Sequence, residues 1–235
     1  MKLDRPSIHC FAFLILLASL FSASSAFAGP PLLCHTFDIG NAKSLPWISH
    51  DWNLTGKETY DLNNLIADTI AILDADSTVL VHMETLRRAS LYAQLDPHFA
   101  KHLLIKLMAR SDAASLNTTT AALASFDLGY FAETLRQFQW IHKDAPNPAQ
   151  GLDGYALVKK AAQARVNDPQ MEFAAAIIAL NVANSESQEH AQKAIAGAKN
   201  DFLLAKNLSA RFRDAQSETM AEMISGIPSV KVAHQ

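Results

Sequence analysis

From Asp61 to Gln216 the apolar residues recur three and four apart, and no comparable stretch alternates as a half-buried strand would. Leu62, Leu65, Ile66, Thr69, Ile70 and Leu73 fall on one helical face behind Asp61 as an N-cap. Val79, Met83, Leu86, Ala89, Tyr92 and Ala93 do the same over 78–95, with Arg87 and Arg88 expected to point outward. Beyond Asp96-Pro97, two adjacent rows, Phe99/Leu103/Leu107 and Ala100/Leu104/Met108, form a broad apolar stripe. Helical patterning resumes at Thr118, with a break expected at Gly129, and runs to about Lys143. Another helix carries Tyr155, Val158, Ala161, Ala162 and Ala164 up to the break at Asp168-Pro169. Residues 171–184 are apolar nearly all round, which marks a covered central helix, and a last long helix is expected over 188–216.

Such a chain can bury its faces only by packing helix on helix. The expected fold is all-α, with helical hairpins stacked as a short α-solenoid over 61–224 and a flexible tail over 225–235. Residues 29–60 are punctuated by Pro30, Pro31, Gly40, Pro46 and Gly56, and are expected to be irregular, with Trp47 and Trp52 anchoring them to the helices.

The first 28 residues have the layout of a cleavable secretory signal: Lys2 and Arg5, the apolar run Ile8–Phe21, then small residues ending Ala26-Phe27-Ala28. The run is shorter than the ~20 residues that a helix needs to cross a bilayer, so cleavage before Gly29 is expected, with no membrane span afterwards. This places the protein as exported, periplasmic or secreted, in a bacterial setting. The full chain has a formal net charge of −3, and losing Lys2, Arg5 and Asp4 makes the remainder one unit more negative. Mild acidity without a basic cluster argues against nucleic acid as a partner. Of two cysteines, Cys10 leaves with the signal, so Cys34 has no internal disulfide partner.

The turn signals at Asp96-Pro97, Gly129 and Asp168-Pro169 are spaced as in helical-hairpin solenoids. Residues Thr118–Pro148 resemble a degenerate tetratricopeptide repeat: Ala122 is the small packing residue, Gly129 the turn, Phe131 and Phe138 the aromatics of the second helix, and Pro146 the close. Ser125 and Thr134 depart from that pattern. Beyond this the chain is similar to uncharacterised exported bacterial proteins. The resemblance implies a scaffold that binds a protein or peptide on a concave face, and this is the leading functional expectation.

A second resemblance competes with it. Asp74-Ala-Asp76-Ser-Thr78, after Ile70–Leu73, resembles the nucleophile loop of haloacid-dehalogenase-like phosphatases. That would make Asp74 the nucleophile, Asp76 the general acid/base and Thr78 a phosphoryl ligand. Local capping is the competing account, with Asp76 or Ser77 starting the next helix. Metal ligation is weakly signalled by His98 and His102, four apart on one helix, and by Cys34-His35 with His50 nearby. No zinc, haem, phosphate-loop or dinucleotide motif accompanies them, so no cofactor is expected.

Overall fold

The computed structural model describes residues 29–48, 54, 56–75, 78–94, 96–114, 119–180 and 182–212. The signal segment, Trp52, His50, Asp76, Ser77 and the expected tail lie outside them. The described chain is all-helical: α1 Leu65–Ala75, α2 Val79–Ala93, α3 Pro97–Ala113, α4 Thr119–Ile141, α5 Gly154–Ala164, α6 Pro169–Ala179, α7 Asn184–Gly197 and α8 Phe202–Phe212. Most helices pack against their neighbours in the chain, as stacked hairpins do, while α2 also packs on α4 and α6.

Local chemistry starts these helices where the turn residues stand. The Asp96 carboxylate accepts from the His98 N–H ahead of Pro97, and the Asp168 carboxylate accepts from the N–H groups of Gln170 and Met171 ahead of Pro169. Asp153 caps α5 in the same manner, through the N–H of Ala156. Buried aliphatic and aromatic side chains from every helix form the core, with α6 covered from Phe173 to Ala179, as its all-round apolar pattern requires.

Five expectations are corrected. Gly129 is no turn, because α4 runs unbroken through it. The residue is needed for approach instead: a Cβ there would meet the Gly154 carbonyl oxygen at 2.6 Å, so α4 and α5 cross backbone to backbone. The stretch likened to a tetratricopeptide hairpin is therefore one helix and a loop. The last helix is also divided, since a 3-10 turn at Ala198–Asn200 leads to Asp201, whose carboxylate accepts from the Leu204 N–H and starts α8. Asp61 caps a 3-10 turn, Leu62–Asn64, rather than α1 itself. Finally, Arg87 points inward and is buried, and Met108 is exposed.

Candidate functional site

Residues 29–48 form a strap laid along α2, α4 and α8. Leu32, Leu33, Phe37, Ile39 and Leu45 are buried beneath it, each worth roughly 1.5–3 kcal/mol relative to exposure. The strap has little regular structure, so its backbone groups need partners, and side chains of the helices supply them. Gln137 Oε1 accepts from the Leu32 N–H at 2.8 Å, Arg87 donates to the Leu33 carbonyl at 3.1 Å, and Glu84 accepts from the Phe37 N–H at 2.9 Å. From α8, Arg211 donates to the carbonyls of Pro31 and His35, both at 2.8 Å. Asn207 grips Asp38 with both amide atoms, accepting from its N–H and donating to its carbonyl, each at 2.9 Å. Farther along, Arg88 and the Tyr92 hydroxyl donate to the carbonyls of Leu45 and Pro46 at 2.5 Å.

Glu84 organises this grip. It takes two hydrogen bonds from Arg87, at 2.8 Å each, and one from Arg88 at 2.7 Å. Burial works against its charge, but the hydrogen bonds and charges of both arginines outweigh it and hold the carboxyl below its usual range. The sequence offered no motif for these residues, and Arg87 and Arg88 were expected to point outward.

Between the strap and α1 lies a cleft of about 770 Å³. Its walls are Ala42–Pro46 on one side and Asp68, Ala71, Ile72 and Ala75 on the other, with Arg88 between them. The α1 residues fall on one stripe, four and three apart. The opposing wall is fixed by Arg88, by Tyr92, and by a Ser44–Thr85 hydroxyl contact of 3.0 Å. The neighbouring Asp68 accepts from the Tyr60 hydroxyl at 2.7 Å.

The residues singled out from sequence are scattered. Asp74 sits in the last turn of α1, exposed, and accepts from Arg110 at 2.8 Å. Thr78 is the residue preceding α2, in extended conformation. The haloacid-dehalogenase arrangement needs a strand end in a parallel sheet, whereas Asp74 and Thr78 flank a connection between two helices. Arg110 continues to Asp127, fully buried, which lies 2.5 Å from His82 Nδ1, so these side chains tie α1, α2, α3 and α4 together. His98 and His102 are exposed on α3 with ring centroids 5.2 Å apart. Cys34 and His35 are half-buried in the strap. Burial raises the thiol's pKa, and Arg211 and Arg87 offset this only in part. Among the described residues no cluster of three metal-ligating side chains forms, and His50 lies outside them.

No family model, no curated protein and no solved structure matches this chain.

Proposed function

We propose that this is an exported helical binding module that takes a protein or peptide partner in the cleft between the strap and α1 and performs no chemistry of its own. The observation that carries the reading is the incomplete cover of α1. Ile66, Ile70 and Ile72 are only half-buried, and Ala71 and Ala75 are exposed beside a cleft whose opposite wall is held rigid. The small alanines on the α1 wall of this cleft allow a partner's main chain to come close. The inference from helical scaffold to binding role is one of analogy.

A photo-crosslinking residue at Ala75 of the full chain tests it. Adducts formed in envelope extract should disappear when Ala71→Arg fills the cleft, and should not form from the same crosslinker at Lys199. Adducts indifferent to Ala71→Arg, or none at all, would remove the reading. Export is tested separately by intact mass: a chain recovered from the periplasm or medium should begin at Gly29.

A further inference from the structure

Beneath the turn at residues 31–35 the described residues of the helices hold more positive charge than they neutralise. Arg87 and Arg88 share one carboxylate, that of Glu84. Among the described residues Arg211, reaching in from α8, makes hydrogen bonds to two carbonyl oxygens and stacks on the Phe37 ring, 4.5 Å from its guanidinium carbon, while the Glu84 carboxylate, already bound by Arg87 and Arg88, acts on it electrostatically. Asp38, the next acidic residue along the strap, is taken by Lys206. Cations withdrawn from water without a counter-charge are costly, and burial with the nearby Arg87 brings Arg211 down to about 10.

Two buried neutral donors lie on the same helix, α4. Tyr130 and Gln137 are both fully buried, seven residues apart on α4, and neither Tyr130 Oη nor Gln137 Nε2 has a hydrogen-bond partner among the described residues. Gln137 Oε1 accepts from Leu32, so its amide group lies at the strap backbone between the points gripped by Arg211 and Arg87. Tyr130 is within electrostatic reach of both guanidiniums. Buried donors are almost always satisfied, and two orphans beside surplus positive charge call for an acceptor that carries negative charge.

We propose that the region under residues 31–35, around Arg87, Tyr130, Gln137 and Arg211, is a binding site for a small anion, either a halide or a compact oxyanion. Leu32 and Leu33, fully buried in the same turn, restrict the ligand to a compact one, and half-buried Cys34 and His35 form the rim. The site is separate from the cleft at α1, and neither reading depends on the other.

The test is the thermal unfolding of the full chain at constant ionic strength, with sodium gluconate replaced stepwise by chloride or by phosphate. The melting temperature should rise and saturate. Saturation at lower chloride than phosphate identifies a halide site, and the reverse identifies an oxyanion site. Tyr130→Phe keeps the ring and removes the hydroxyl, so half-saturation should move up by roughly tenfold, the worth of one hydrogen bond to a charge. Cys34→Asp places a carboxylate at the rim and should flatten the response. A melting temperature that depends on ionic strength alone, or a Tyr130→Phe response equal to that of the parent, would overturn the proposal.

Discussion

Gly129 and Gly154 hold α4 and α5 at a separation that admits no side chain, since a Cβ on either would lie 2.6 or 2.5 Å from the other's carbonyl oxygen. Gly129→Ala is helix-favouring by propensity, by somewhat under 1 kcal/mol. The clash involves backbone and the side chains of Leu157 and Val158, none of which can yield cheaply. The variant is expected to lose about 2–3 kcal/mol, the scale of an overpacked core. Urea unfolding checks this, and a stability equal to or above the parent's would show that the helices slide apart without cost.

The same pair shows why part of the fold was hidden in the sequence. A glycine after an apolar helical run reads as a stop, and only the facing Gly154, twenty-five residues away, reveals that both serve a crossing. Helix existence was legible because burial imposes the three-and-four period, and the breaks at Asp96-Pro97 and Asp168-Pro169 were legible because capping is local. The strap was not. Its order comes from long-range bonds such as Asn207 to Asp38, 169 residues apart, which leave no spacing signal. Arg87 and Arg88 likewise read as a solvated pair, because the carboxylate and carbonyls that draw them inward lie on a preceding turn and on the strap.

Glu84 should make stability depend on acid. Its folded carboxyl gives up its proton more readily than an unfolded glutamate, which titrates near pH 4.3. Its stabilising contribution is therefore complete above that pH and is lost as the pH falls through the folded value. Glu84→Gln leaves Arg87 and Arg88 without a counter-charge and is expected to cost about 3–5 kcal/mol at pH 7. The gap between parent and variant in urea unfolding should narrow on acidification toward pH 3. A gap independent of pH would mean that Glu84 acts through shape alone.

Asp74 and Asp127 both receive Arg110, yet their settings differ. The Asp74 side chain is 60% exposed and Asp127 is fully buried against His82. Asp74→Asn should cost less than about 1 kcal/mol, as exposed pairs do. Asp127→Asn removes charge from a buried ion group and should cost about 3 kcal/mol or more. Neither change should alter partner capture from position 75. Magnesium-dependent phosphoester hydrolysis by the parent, lost in Asp74→Asn, would restore the phosphatase reading despite the helical setting.

Cys34 is half-buried, and its sulfur packs against Gly29, where an added Cβ would come within 2.6 Å of Sγ. Two influences act on the thiol in opposite directions. Burial disfavours the thiolate, Arg211 and Arg87 favour it, and burial prevails, so the thiol sits above its ordinary value. Thiolate is the reactive form, so the folded protein at neutral pH should react with a thiol reagent several-fold more slowly than the unfolded chain, whose cysteine is free of these influences. Removing a favourable charge should slow it further: Arg211→Met is expected to lower the native rate, provided circular dichroism shows the helices intact. Raising the pH should close the gap between folded and unfolded rates once both thiols are ionised, leaving only the steric part. A native rate equal to or above the unfolded one near neutrality, or a disulfide-linked dimer on a non-reducing gel, would show that the two arginines outweigh burial and that Cys34 is a reactive thiol.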